Sequence, residues 1–354
     1  MTVIEPAPRY DAVLMVAYGG PDGPEDVLPF LAHATRGRNI PPERLQEVAS
    51  HYLHFGGASP INAQMRALRA ALEADLASYR HPLPVYLGNR NWHPSIEETV
   101  RTMASDGVRS ALLLITSSFS SYSSCRQYQE DVQRAVAAVG PRAPRFNKVR
   151  ACFNHPGFIE AAARSLAAAQ QQADAGRGRP QVVFTAHSIP LSMARQCAYE
   201  EQLWESSRLT ATAAGVTEWT VAFQSRSGPA QVPWLEPDIC AQIATFASAG
   251  VREVVVMPIG FLSDHMEVLF DLDHEAAGVA ADLNVGFHRA ATVGTDRQFV
   301  GALRDIVVER LTNSPLRRAV GRMEAAPDEC TEGCCWPGAA LADRPVRRIT
   351  GGAR

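Results

Sequence analysis

MPIGFLSDHMEVLFDLDHE, residues 257–275, decides how the rest of the chain is read. The β-branched run Val254, Val255 and Val256 just before it reads as a buried strand. Pro258 and Gly260 break that strand, Asp264 is the expected N-cap, and a helix follows. On this helix Glu267, Asp271 and Glu275 recur every fourth residue and share one face, with His265 before the stripe and Asp273 and His274 within it. Like charges at that spacing repel. An acidic ladder at the carboxyl end of a buried strand therefore suits cation handling or proton relay, and its plain alternative is a solvated helix face.

Strand, turn and helix recur on both sides of this stretch. Ala12–Ala17, Val85–Gly88, Ala111–Ile115, Val182–Ala186 and Thr220–Phe223 read as short buried strands, and Val149–Cys152 as a further short one. Amphipathic helices alternate with them: one carries Met65, Leu68, Leu72 and Leu76, one begins at Pro156, and a terminal one carries Phe299, Leu303, Ile306, Val307 and Leu311. Such alternation predicts an α/β protein with parallel sheets flanked by helices, in two similar halves. Between them lie the Arg36-Gly37-Arg38 loop, an aromatic loop from His51 to Pro60, and a polar loop from Ala173 to Pro180. After Pro315 periodicity ends and Pro, Gly, Arg and Ala dominate.

Composition narrows the function classes. The chain has 354 residues, 46% hydrophobic and 20% charged, with a formal charge of −3. That is enough for two α/β domains and gives no basic footprint for nucleic acid. The apolar run around Val254–Leu262 is too short to span a bilayer, and MTVIEPAPRYD has no signal-peptide pattern. A cytoplasmic monomer is the expectation. In a reducing compartment the seven Cys are free thiols or metal ligands rather than disulfides.

Three features carry chemistry. His187 closes the Val182 strand ahead of Pro190. In a doubly wound sheet its strand end converges with that of the acidic ladder, so His187 and Glu267 are expected across one pocket, offering imidazole and carboxylate for metal or proton work. The Ala111 strand empties into Ser117-Ser118-Phe119-Ser120-Ser121-Tyr122-Ser123-Ser124-Cys125, a hydroxyl-rich segment where such a sheet binds ligand; a solvated Ser-rich turn is the plainer alternative. Cys330, Cys334 and Cys335 put three thiols in six residues, which repel as thiolates unless a metal neutralises them. A fourth Cys would complete a site for zinc or an iron–sulfur cluster.

An ordered set of motifs makes a resemblance specific: Tyr18-Gly19-Gly20-Pro21, His54-Phe55-Gly56-Gly57-Ala58-Ser59-Pro60-Ile61, Ser120-Ser121-Tyr122-Ser123, Ala186-His187-Ser188-Ile189-Pro190, Gln224-Ser225-Arg226-Ser227-Gly228-Pro229, Trp234-Leu235-Glu236-Pro237 and Gly260-Phe261-Leu262-Ser263-Asp264-His265-Met266-Glu267. From about residue 10 to 312 the chain resembles the ferrochelatases of the actinobacterial type. The resemblance implies a chelatase-like fold of two Rossmann-like domains around a porphyrin cleft. Residues 10–165 with 297–314 would form the first, 166–296 the second, and 315–354 a Cys-containing tail. It implies insertion of Fe²⁺ into coproporphyrin III, with protoporphyrin IX as the runner-up substrate. His187 would be the metal-binding base and Glu267 its partner. Asp271 and Glu275 would form an acidic relay, often of π-helical character. Tyr18, Arg36, Tyr52, Ser59 and Tyr122 would contact the porphyrin; His51 stands where some relatives place an arginine. It implies a [2Fe–2S] cluster on Cys330, Cys334, Cys335 and one body cysteine. Cys152 is the expected fourth ligand, with Cys125 and Cys197 placed near the porphyrin and Cys240 early in a helix. The competing classes are a non-catalytic haem or iron sensor, which would not need His187 and Glu267, and a cobalt or nickel chelatase, which would lack the Cys tail.

Overall fold

Among the described residues eight strands form two parallel four-stranded sheets of the same topology. In a computed structural model the chain is described over residues 10–337 apart from 38–39, 80–81 and 174–176. The first nine residues, Arg38, the middle of the Ala173–Pro180 loop and the tail beyond Pro337 thus lie outside the described residues. The first sheet contains β1 (Ala12–Ala17), β2 (Val85–Asn89), β3 (Ser110–Ile115) and β4 (Arg145–Lys148) in the order β2-β1-β3-β4. The second contains β5 (Gln181–His187), β6 (Trp219–Gln224), β7 (Glu253–Met257) and β8 (Gly286–Arg289) in the order β6-β5-β7-β8. Every strand pair is parallel. The residues of β1 and β7 are all buried, as helices on both faces of a parallel sheet require. That double burial is why these strands read as unbroken apolar runs.

In each sheet the chain turns back beside its own first strand, so the strand order reverses between β1 and β3 and again between β5 and β7. A crevice opens beyond the carboxyl ends at such a reversal. Tyr18 and the Ser117 segment lie at the first reversal, His187 and the Pro258–Glu267 segment at the second.

The helix Ile61–Ala77 buries Met65, Leu68, Leu72 and Leu76, the stripe expected from its spacing. The helices Pro156–Gln170 and Arg297–Leu311 pack on each other, and the latter also packs on Ile61–Ala77. At their crossing a Cβ on Gly157 would lie 2.4 Å from the carbonyl oxygen of Gln298, so only glycine permits this approach. One continuous core runs from the first sheet through these helices into the second. Among the described residues no helix is long and apolar enough to cross a membrane.

Among the described residues beyond Leu311 there is no regular structure, yet the segment up to Asp328 is held to the body. Fully buried Arg150 holds both Glu309 oxygens, at 2.7 and 3.0 Å, and donates to Arg318 O at 2.9 Å. Asp328 accepts from the Arg150 N–H at 2.9 Å and pairs with Arg317 at 2.6 Å. Removing one partner of a buried pair typically costs about 3–5 kcal/mol, so these charges clamp the tail to the body.

Three local expectations are corrected. The fourth strand is Arg145–Lys148, not Val149–Cys152, because the segment after Lys148 turns away toward the tail. His51 to His54 belong to the helix Pro42–His54 rather than to a loop. The turn begins only where Gly56 and Gly57 adopt φ of 81° and 82°, a region that favours glycine. The cap of the acidic helix is His265, whose Nδ1 accepts from the Glu267 N–H at 3.2 Å. Asp264 is occupied instead by Arg289 and Thr292, at 3.1 and 3.2 Å. Strand β8, with every residue half-buried, carries no continuous apolar run and left no signal in the sequence.

Candidate active site

His187 is the last residue of β5. Tyr199 donates to its carbonyl at 2.9 Å, and its own Nδ1 lies on the carbonyl of Ser188. With Nδ1 so engaged, Nε2 is left to the cleft. Glu267 sits opposite on the segment that β7 feeds: its Oε2 is 3.7 Å from His187 Nε2 and 3.8 Å from His265 Nδ1. Gln224, at the end of β6, donates to the Glu267 carbonyl at 2.7 Å and fixes the helix start. The two side chains expected to face each other do so.

Asp271 and Glu275 lie on a π-helix, Leu269–Ala276, and Glu267 on the α-turn Met266–Val268 that leads into it. The wider i→i+5 turn brings every fourth residue closer to a single line than the 3.6-residue period does. Glu267, Asp271 and Glu275 thus form a row running from the cleft to an exposed end at Glu275.

The row is electrostatically graded. Burial opposes charge on both His187 and Glu267, but each is the other's counter-ion. Glu267, with a smaller contribution from Asp271, holds His187 above the ordinary imidazole value. His187 and then His265 hold Glu267 down at about 2. Asp271 goes the other way. Burial pushes it up to about 7, aided by Glu267 and Glu275 and opposed by the Ser225 hydroxyl, which donates to it. Glu275 is raised by burial and by Asp238.

The sign of the Asp271 shift makes a prediction. A carboxyl whose folded pKa is raised favours the folded state while protonated, and that stability is lost as pH rises through the folded value. Between about pH 4 and 7 ionisation of Asp271 erodes stability. Asp271→Asn flattens this slope and raises the melting temperature at pH 8 relative to the parent. Parallel pH–melting curves for the two proteins would sink this account of Asp271.

On the opposite wall, Tyr18 is 41% exposed and rests edge-on against Phe30, at 6.3 Å between ring centroids. Asn62, which the sequence reading passed over, fixes this turn by accepting from the Gly20 N–H at 3.1 Å and donating to its carbonyl at 2.6 Å. Two expected contact residues are less open than anticipated. Tyr52 is buried against Phe30, 5.7 Å between centroids, with burial holding its phenol well above the usual value. Ser59 is buried against Gly20, where a Cβ would come within 2.6 Å of its own. Both build the wall of the cleft. Arg36 is exposed, with His33 at 3.1 Å. Tyr122 opens a five-residue π-turn, Tyr122–Arg126, and donates to Glu130 at 3.1 Å. His51 stacks on Phe270 at 3.7 Å, and Gln64 accepts from the Asp264 N–H at 2.8 Å, so the two halves meet along the mouth.

The cysteines group differently from the sequence expectation. Cys330, Cys334 and Cys335 line one pocket together with Cys125 and Cys197. Cys152 does not line it: it is 2% exposed and pushed up to about 11 by burial. Gln129 donates to both Cys125 (3.6 Å) and Cys330 (3.9 Å), and the Cys334 and Cys335 sulfurs are 3.6 Å apart. Cys125 and then Lys148 draw Cys330 below the ordinary thiol value. Cys125 and Cys197 therefore line the pocket of the tail thiols. Cys240 is the second residue of the helix Ile239–Ser248, away from this group. Among the described residues no three His, Cys, Asp or Glu side chains already converge as around an ion.

Comparison with known proteins meets this geometry. The family model described as Ferrochelatase matches residues 10–311. A protein named ferrochelatase from Rhodopirellula baltica is 49% identical over 93% of this chain and 94% of its own. Proteins named coproporphyrin III ferrochelatase from Nocardia farcinica and Mycolicibacterium smegmatis are 47% and 49% identical, over 92% and 88% of this chain and 97% and 93% of theirs. Among solved structures, SirB from Bacillus subtilis with Fe³⁺ superposes with a TM-score of 0.53 at 13% identity, over 88% of this chain and 99% of that one. That last likeness concerns the fold alone.

Proposed function

Since the chain belongs to the ferrochelatase family, we propose that it inserts Fe²⁺ into coproporphyrin III, with His187 and Glu267 as the residues that meet the metal and the pyrrole protons. The observation that carries this reading is the His187–Glu267 pair, 3.7 Å apart at the mouth of the second sheet's crevice. Metal–nitrogen and metal–oxygen bonds of divalent first-row ions are each about 2.1 Å, so one ion fits between the two atoms. Both ligands are hard or borderline donors, which can pass the ion on; thiolates would retain it.

The proton path follows from the grading. A free-base porphyrin surrenders two N–H protons as the metal enters. Glu267, held at about 2, is a poor acceptor and stays a carboxylate facing the cation. His187 is the base. Asp271, at about 7, takes and gives a proton at neutral pH, and Glu275 delivers it to solvent. Tyr18 would face the macrocycle from the far wall, with Tyr122, Arg36 and the Tyr52–Ser59 wall bounding it. The choice of coproporphyrin III rests on what the actinobacterial relatives are named for.

The tail adds a resident group to the reading. A [2Fe–2S] cluster needs four thiolates, and the pocket between tail and body is lined by five cysteines. Cys330, Cys334 and Cys335 would hold it with Cys125, which replaces Cys152 as the body ligand. When bound, the cluster supplies a covalent tie between tail and body and a redox-active centre. The insertion itself needs only His187, Glu267 and the acidic row.

The test is anaerobic metal insertion. Fe²⁺ is mixed with coproporphyrin III or protoporphyrin IX and the loss of free-base fluorescence followed. Faster loss with coproporphyrin III is the expected result. Preference for protoporphyrin IX overturns the substrate, and tight binding of both without turnover overturns the enzyme.

A further inference from the structure

Tyr122 and Cys125 sit on one five-residue π-turn, and the last residue of that turn, Arg126, has its guanidinium engaged on three sides. Its Nε donates to Glu130 Oε1 at 3.2 Å. Its Nη1 donates to the carbonyl of Cys334 at 3.1 Å. Its face lies over the Trp336 ring, 4.6 Å from the centroid. A planar fork with several donors and a stacking face suits such triple use, and lysine could not reproduce it. Glu130 is shared in turn: its second oxygen accepts from the Tyr122 hydroxyl at 3.1 Å. One unbroken chain of contacts therefore runs from the tail, through Arg126 and Glu130, to Tyr122.

The turn is stiff enough to transmit a displacement. Its N-cap Ser121 accepts from the Ser124 N–H at 3.1 Å, and the Ser124 hydroxyl donates to the Phe119 carbonyl at 2.6 Å. The tail up to Pro327, for its part, is anchored without Arg126. Lys148 donates to Pro327 O at 3.0 Å, Asn154 to Met323 O at 2.9 Å, and the Arg150–Glu309 pair holds the chain before them. Losing Arg126 thus releases the link between tail and turn while both stay folded.

We infer that Arg126 is a positioning residue for the porphyrin: it reads the placement of the Cys334–Trp336 segment and, through Glu130, sets the Tyr122 ring. This rests on Tyr122 as a porphyrin contact. It goes further in making porphyrin affinity answer to the state of the tail. A tail displaced by oxidation or loss of its thiol contacts withdraws the Cys334 carbonyl and the Trp336 face, the guanidinium loses two of its three restraints, and Glu130 no longer holds the Tyr122 hydroxyl in place.

The experiment uses the full chain as purified and measures coproporphyrin III affinity by fluorescence titration without iron, with kcat at saturating porphyrin alongside. Arg126→Gln and Trp336→Ala are each expected to weaken porphyrin binding about five- to tenfold, with kcat within twofold. Arg126→Lys recovers part of the loss by restoring the Glu130 pair. In a Tyr122→Phe background Arg126→Gln adds nothing, because the two act in one chain. Unchanged affinity in both single variants, or full additivity with Tyr122→Phe, overturns the proposal. Should Arg126→Gln not fold, Trp336→Ala decides alone, its ring being 37% exposed. Unchanged affinity in Tyr122→Ala would remove Tyr122 as a contact, a failure of the site reading that these arms separate from a failure of the link.

Discussion

His187→Ala is expected to lower Fe²⁺ insertion by about 10²–10⁴, the range over which a positioned general base contributes, while porphyrin affinity stays within a few-fold. The imidazole projects from a strand end into the crevice, with Nδ1 on the Ser188 carbonyl and Nε2 toward Glu267. Alanine removes the proton acceptor and one metal-facing donor and leaves the porphyrin walls intact. It also strips Glu267 of the partner that holds it near 2, so part of the loss arises from a carboxylate that rises toward its ordinary value. Added imidazole should restore a fraction of the rate, because the vacated space opens on the cleft. Insertion within tenfold of the parent would show that the base lies elsewhere.

Cys125→Ser is expected to abolish any visible iron–sulfur absorption of the purified protein, and Cys152→Ser to leave it. A serine hydroxyl does not ionise where a thiol does, so a four-thiolate site loses a ligand outright. Cys125 shares Gln129 with Cys330, whose thiol is drawn below the ordinary value. Cys152 lies behind Ser118 with burial opposing its ionisation. Cys125 lines the pocket of the tail thiols and Cys152 does not, and on that ground Cys125 is the fourth ligand. Bleaching by Cys152→Ser with Cys125→Ser unaffected would return the fourth ligand to Cys152. Absence of the absorption from the freshly and anaerobically purified parent would remove the cluster altogether.

Much of this was legible in the chain because it depends on short-range pattern. Fully buried parallel strands must be apolar on both faces, so Ala12–Ala17, Ala111–Ile115 and Val254–Val256 announced themselves. The residues that close them, Tyr18, Ser117, His187 and Pro258, were thereby placed at strand ends. In a doubly wound sheet the ends beside an order reversal share one crevice, so the His187–Glu267 pairing followed from spacing and topology, and the ordered motifs identified the family. Where one sequence signal competed with another, the reading failed: Asp264 had the residue type of a cap, but Arg289 and Thr292, distant in sequence, claimed its carboxylate.

Only the tertiary structure decided which thiols meet. Cys125 and Cys152 are separated by the helix Gln127–Val139 and strand β4, and nothing local states which will face a tail two hundred residues later. The Arg150–Glu309–Asp328 clamp settles it by fixing the path of the tail. The gradient along the acidic row was equally out of reach. Its spacing was visible, but Glu267 near 2 is set by His187, which approaches from another strand, and Asp271 near 7 by the burial that packing imposes on it. Pattern along a chain fixes what each element must bury; the charges and thiols that work together are chosen by contacts between elements.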